Sequence, residues 1–313
     1  MSCMAALTGW PPEWFRGRHF GIQWSAVSIT IGLMGRVLLI GQDPALVGAL
    51  GASHHLTAHE VEACSGPFEA QRRMRSRAYD VVVTDPTTSA AEDLALLKEL
   101  SALSPGIRTI VLAPQLSNAD VITALRQNVY ACFTRPIDYE EVAEMARAAI
   151  EDVEWRDGIE VISGLPHWIT LRVSCRLITA DRLTRFMTEY RSDLPSSERD
   201  LLMTAFREML LNAMEHGAAF DPEKVIEVTA AQTARAIVFH FRDPGDGFDR
   251  EDLSHAASSP QPEDVMKSIQ ERAEAGMRPG GFGMLIVRQI VDELVYNERG
   301  NEVLLIKHRN LAT

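Results

Sequence analysis

The sequence predicts an α/β chain built from two unlike halves. Three observations predict it: continuous apolar runs separated by helical patterns between residues 35 and 152, alternating strands mixed with amphipathic helices between 166 and 309, and a polar connection at 153–165. At 313 residues the chain is long enough for two domains of ordinary size, and 46% hydrophobic content can fill two cores.

In the first half, Gly35–Ile40, Tyr79–Thr84 and Ile107–Ala113 each hold a continuous apolar run, at 37–40, 81–83 and 110–113. Strands of that kind are buried on both faces, which calls for a parallel sheet under helices. Asp85 lies at the carboxyl end of the Tyr79–Thr84 run, where open parallel sheets place their ligands. Residues 128–137 then lead into a helix predicted over Tyr139–Asp152.

In the second half, Trp168–Ser174 reads as an edge strand and Ala180–Tyr190 as a helix. A longer helix follows, because Leu202, Phe206, Met209 and Ala213 recur at spacings of four, three and four, and Leu210 widens the stripe. Glu208, Asn212 and His216 stack on a different stripe of that helix. Ser197 is the expected N-cap, Glu198 and Asp200 suit the first turn, and Gly217 ends the run.

Ala236–Arg242 alternates as a half-buried strand and sets Asp243 at its end. Gly245 and Gly247 would let the backbone turn sharply beside a flat ring, and a carboxylate fixed there can accept from an exocyclic amine. Gly280, Gly281 and Gly283 precede a helix expected over Met284–Leu294; glycines at a helix start leave N–H groups free for phosphate oxygens. Ser254–Met277 reads either as a mobile lid or as a solvated loop. The chain holds no Gly-x-x-x-x-Gly-Lys-Ser/Thr stretch, which argues against a P-loop ATPase.

A formal charge of −12 argues against nucleic acid as a partner, since phosphate contacts need clustered Lys and Arg. Cys3, Cys64, Cys132 and Cys175 have no paired metal or redox spacing, which suits reduced thiols in the cytoplasm. Residues 1–34 form a leader with Trp10, Trp14 and Trp24, in which Glu13, Arg16, Arg18 and His19 interrupt any span of membrane length. Either it is a docking segment or translation begins at Met34.

Phe-Arg-Glu-Met-Leu-Leu-Asn-Ala-Met-Glu-His-Gly at 206–217, Asp-Pro-Gly-Asp-Gly-Phe at 243–248 and Gly-Gly-Phe-Gly at 280–283, in that order, resemble the N, G1 and G2 boxes of the ATPase superfamily shared by gyrase B, histidine kinases, Hsp-type chaperones and mismatch-repair ATPases. The pattern is most similar to the anti-sigma-factor serine kinases, partner-switching proteins that bind a sigma factor and phosphorylate a STAS-domain antagonist. The resemblance implies an α+β sandwich of the histidine kinase/gyrase B (Bergerat) type over 166–309 that takes ATP and Mg2+. Carried over by position, Asn212 would hold Mg2+ through its amide oxygen, Glu208 would polarise the attacking hydroxyl, and Asp243 would receive the adenine amine. Gly245, Gly247, Gly281 and Gly283 would line the nucleotide, and His216 would contact a phosphate or close the helix. Related kinases often carry an arginine before the second G2 glycine; Pro279 stands there, and Arg278 one residue earlier is the candidate for the terminal phosphate.

The first half resembles the flavodoxin-like receiver domain of two-component response regulators over 35–152, with Asp85 at the phosphoacceptor position. The resemblance stops at the chemistry. Gly41 and Gln42 occupy the places of two acidic metal ligands, Asp43 falls one place late, Ala113 replaces a hydroxyl residue and Arg135 replaces a lysine. The expectation is a pseudo-receiver acting by contact, through a homodimer or a docked partner, joined to a serine/threonine kinase of anti-sigma type. Alternatives are an ATP-dependent binding switch without catalysis and a receiver-gated histidine-kinase-like ATPase.

Overall fold

In the computed structural model, which describes residues 34–41, 43–191, 193–247 and 283–309, two sheets lie within one compact unit that starts at Met34. The first contains β1 (Arg36–Ile40), β2 (Glu60–Cys64), β3 (Val81–Val83), β4 (Arg108–Ala113) and β5 (Ala131–Thr134), in the order β2-β1-β3-β4-β5. Every neighbouring pair is parallel. This is the flavodoxin-like doubly wound order. Its helices are α1 (Pro44–Ala52), α2 (Pro67–Ser76), α3 (Ala90–Leu103), α4 (Asn118–Arg126) and α5 (Tyr139–Glu151).

The valines of β3 and the Ile110–Ala113 stretch of β4 are fully buried, as strands covered on both faces must be. Local chemistry starts the helices. Ser89 with Glu92 and Ser117 with Asp120 form capping boxes on α3 and α4, and the Asp138 carboxylate accepts from the Glu140 and Glu141 N–H groups at the start of α5.

The second sheet is antiparallel, in the order β10-β11-β9-β8-β7-β6. It consists of β6 (Ile159–Leu165), β7 (Trp168–Ser174), β8 (Val225–Gln232), β9 (Ala236–Arg242), β10 (Glu293–Tyr296) and β11 (Glu302–His308). Its helices are α6 (Leu177–Tyr190), α7 (Ser196–Asn212) and α8 (Gly283–Ile290). The alternation of β9 buries Ile237, Phe239 and Phe241, and Phe206 of α7 meets the last two with ring centroids at 4.9 and 5.2 Å.

Several local expectations change. Trp168–Ser174 is a strand, but the edge belongs to β6, formed by residues expected only to connect the halves. Charged Glu160 on an edge strand concealed it, since edges favour charge. The long helix begins at Ser196 after Pro195 with no side-chain cap, so Ser197 is not the N-cap. It ends at Asn212 and continues as a π-turn over Ala213–Gly217. The Met284–Leu294 helix stops at Ile290, because Leu294 is drawn into β10 opposite Leu305.

One edge of each sheet, at β5 and at β6, is covered by a helix of the other half. Along β5, Arg182 Nε donates to the Tyr130 carbonyl at 3.2 Å and Arg185 Nε to the Cys132 carbonyl at 3.1 Å. The Glu189 carboxylate accepts from the Thr134 N–H at 3.2 Å and its hydroxyl at 2.6 Å. One stripe of α6 therefore matches alternate residues of β5 and satisfies an edge that would otherwise be open. Arg182 is 3% exposed and lies over the Tyr130 ring at 4.2 Å; desolvation lowers its pKa.

In return, α4 covers β6. Arg126 Nη2 donates to the Gly164 carbonyl at 3.3 Å and Asn118 Nδ2 to the Pro166 carbonyl at 2.6 Å. A Cβ at Gly164 would lie 2.8 Å from Ile122 Cγ2, so glycine permits the approach.

Candidate functional site

Burial of Leu202, Phe206 and Met209 against the second sheet fixes the rotation of α7. Glu208 and Asn212, one turn apart, consequently lie half-buried at its carboxyl end. Here α7 meets α8. A Cβ on Gly283 would crowd Glu208 Oε2, so glycine lets the carboxylate rest against the start of α8. Asn212 Nδ2 faces Met284 Sδ at 3.5 Å and Met209 Sδ at 4.0 Å. With its nitrogen held by thioethers, the amide leaves Oδ1 without a donor among the described residues.

The π-turn after Asn212 reverses the chain. The Phe220 N–H donates to the Met214 carbonyl at 2.8 Å and the Ala219 N–H to the Glu215 carbonyl at 3.1 Å. Ala219 and Phe220 adopt positive φ of 56° and 51°, uncommon for residues with side chains. π-Turns recur at functional sites. This one sets Gly217 against Asp243, where any Cβ would collide with the carboxyl group.

Asp243 follows β9 directly, tied by its N–H to the Asn301 carbonyl at 3.0 Å and by its carbonyl to Asn301 Nδ2 at 3.3 Å. The Gly245 N–H donates to Asp243 Oδ1 at 2.8 Å. Oδ2 accepts no hydrogen bond from another described residue. Partial burial raises the pKa of this carboxyl, opposed by the Gly245 N–H and the charge of Arg299. A Cβ at Gly245 would be 2.8 Å from both Asp243 Oδ1 and the Gly217 carbonyl oxygen, and Gly247, at φ 82°, abuts the Arg299 carbonyl.

The predicted residues thus gather in two groups joined by the end of α7 and its π-turn: Glu208, Asn212 and Gly283 in one, Asp243 and Gly245 in the other, with Gly247 beside it. His216 is exposed on the π-turn between them. Gly281 and Arg278, with the Ser254–Met277 stretch, lie outside the described residues. Sequence reasoning missed Asn301, Arg299, Met284 and the packing role of Gly217. Asn297-Glu-Arg-Gly-Asn301 carries a turn signature whose Gly300 takes φ 82°, but nothing in its spacing points across to Asp243.

The other candidate, Asp85, is engaged locally. Its Oδ1 accepts from the Thr87 N–H at 2.8 Å and the Thr87 hydroxyl at 2.6 Å, and its other oxygen packs on Gly41, at φ 126°. Asp43 caps α1 through the Ala45 N–H at 2.9 Å. Arg135 Nη2 donates to the Pro86 carbonyl at 3.3 Å. Nearby Asp93 is 4% exposed and takes the Thr88 hydroxyl at 2.8 Å; desolvation pushes its pKa up to about 6. Among the described residues, the one cluster with metal-ligand spacing is elsewhere, at His54, His55 and Glu140.

Residues 174–307 match the histidine kinase-like ATPase domain family. The match implies that this half binds ATP. Curated relatives include the transcriptional regulatory protein GlrR of Escherichia coli K12, 25% identical over 148 residues, which are 45% of this chain and 33% of the relative. The transcriptional regulatory protein ZraR of Salmonella typhimurium is 22% identical over 114 residues, 36% of this chain and 26% of that protein. The chain therefore spans a third or less of the length of these relatives. Similar solved structures include a CheY-like receiver domain protein from Methanospirillum hungatei JF-1, at 18% identity and TM-score 0.34 over 38% of this chain and 94% of that one. Another is a response regulator from Thermotoga maritima, at 15% identity and TM-score 0.34 over 38% of this chain and all of the other. No helix among the described residues is long and apolar enough to cross a membrane.

Proposed function

We propose that this chain is a Mg-ATP-dependent signalling regulator whose second half phosphorylates a serine or threonine of a STAS-domain antagonist, under control of a pseudo-receiver that works by contact. One observation carries the reading. A single helix end and its π-turn bring Glu208 and Asn212 to Gly283 and Gly217 to Asp243, so groups suited to the two ends of a nucleotide stand along one stretch of backbone.

The residues fit such a ligand. Asp243 keeps one oxygen open while half-buried, and Gly217 and Gly245 keep its surroundings free of side chains, as a flat ring with an exocyclic amine requires. The Asn212 amide oxygen is the hard donor a magnesium ion prefers. ATP with Mg2+ supplies the transferable phosphoryl group and the neutralising charge. Glu208 then accepts the proton of the incoming hydroxyl, and the helix end holds it in place.

Support for control by contact comes from α6. It covers β5 with Arg182, Arg185 and Glu189, and its Asp181 takes Arg207 Nη2 at 2.6 Å, one residue before Glu208. At Asp85 the turn of Thr87 occupies the carboxylate, and Gly41 supplies no metal ligand. Pro279 in place of an arginine favours a second reading, a nucleotide-dependent switch without transfer. Incubation with γ-labelled ATP, Mg2+ and candidate STAS proteins separates the two. Label in the partner that is lost in Glu208→Gln supports the kinase; tight ATP binding with no label in any partner supports the switch.

A further inference from the structure

His54, His55 and Glu140 form a group that the nucleotide site does not use. Each offers one ligand atom, and these atoms lie within 4.8 Å of one another. His54 Nδ1 is 3.9 Å from Glu140 Oε2, and the two imidazoles stand with centroids 3.9 Å apart. The pieces that carry them are held in place. Ser53, 2% exposed, donates its hydroxyl to Glu140 Oε2 at 2.8 Å and accepts the His55 N–H at 3.3 Å. Thr57 Oγ1 donates to the His54 carbonyl at 3.2 Å, and Leu56 beneath the turn is buried. Asp138 fixes the Glu140 backbone at the start of α5 through a 2.9 Å hydrogen bond.

Two imidazoles and a carboxylate form a nitrogen-rich donor set. That set suits zinc and its late first-row neighbours, whereas Mg2+ and Ca2+ take oxygen ligands. Zinc bonds of about 2.0–2.2 Å require the ligand atoms to draw closer, and the exposed His54 side chain can turn toward the Glu140 carboxylate that the Ser53 hydroxyl holds. The Ser53 hydroxyl on Glu140 is the kind of outer contact that orients a ligating carboxylate.

We propose that His54, His55 and Glu140 bind a divalent transition metal ion of the zinc type, which clamps the turn before β2 to the first turn of α5. The next residue, Glu141, accepts from Arg185 Nη1 of α6 at 3.2 Å, so the bound ion steadies the stretch that grips the ATP-binding half.

Calorimetric titration of the full chain with zinc chloride tests the site. Wild type takes up one equivalent of zinc that the His54→Ala/His55→Ala double variant does not. Glu140→Gln weakens it beyond the roughly 10- to 100-fold typical of losing an outer contact, and His308→Ala, at a different exposed His–Glu pair, leaves it unchanged. Circular dichroism confirms that the variants fold, and zinc raises the wild-type melting temperature but not that of the double variant. Equal zinc uptake by wild type and double variant, or an equivalent lost with His308→Ala, overturns the assignment.

Discussion

Asp85 and Asp243 occupy comparable places, each just past a buried strand, and their surroundings make them opposites. The Asp85 carboxylate is spent on its own turn, with two hydrogen bonds from Thr87 to one oxygen and Gly41 against the other. Asp243 gives one oxygen to Gly245, and the glycines at 217 and 245 keep side chains away from it. A strand-end acid is left open to a ligand when its neighbours are held off by glycine and its backbone is fastened from elsewhere. For Asp243 the fastening is Asn301, from another hairpin.

The largest effect should come from filling the cradle. Gly217→Val drives a branched side chain into the Asp243 carboxyl group and should abolish nucleotide binding, read by calorimetry or a fluorescent ATP analogue. Asp243→Asn keeps the shape but replaces an acceptor. It should weaken ATP by about 1.5–3 kcal/mol, roughly 10- to 150-fold, whereas Asp85→Asn should leave ATP affinity and acetyl phosphate labelling unchanged. Labelling of wild type that disappears in Asp85→Asn would reverse the contrast between the two acids.

Asn212→Ala should lower affinity only when Mg2+ is present; an equal loss in EDTA would remove the metal role from that amide. At the seam, Gly164→Val should cost about 1–3 kcal/mol by overpacking Ile122 and lower the melting temperature. Gly48→Ala is a control on open helix surface and should stabilise by about 0.5–1 kcal/mol.

The smallest effect is a pH slope. Because burial raises Asp93 from 3.8 to about 6, the folded state holds a proton that the unfolded state has released. The stabilisation is present below the unfolded value and is lost as pH rises through the folded one. Asp93→Asn should remove this downward slope in urea midpoints between 3.8 and about 6.

Much of the fold was legible because burial writes itself into periodicity. The apolar runs at 37–40, 81–83 and 110–113, short and rich in β-branched residues, read as covered strands, and Ile237, Phe239 and Phe241 gave β9. Asn212, Glu208 and Asp243 could be singled out because they sit at fixed offsets from glycines, and the structure places Glu208 beside Gly283 and Asp243 beside Gly217 and Gly245. β6 was not legible, since an edge strand needs only one apolar face, and its Glu160 after the charged stretch 151–157 resembles a linker. The π-turn escaped as well, because Ala213–Gly217 keeps helical spacing and departs from it only when Phe220 bonds back to Met214.

The sequence by itself determined the α/β class, the buried strands β1, β3, β4 and β9, the helices α5 to α7 and the residue types of the proposed nucleotide site, all of which follow from local pattern and side-chain chemistry. Tertiary structure alone decided that α6 would close the edge of β5, that α4 would close β6, and that Asn301 would anchor Asp243. Those pairings join residues distant along the chain by hydrogen bonds to backbone atoms, and every residue type carries the same backbone, so no side-chain pattern announces them.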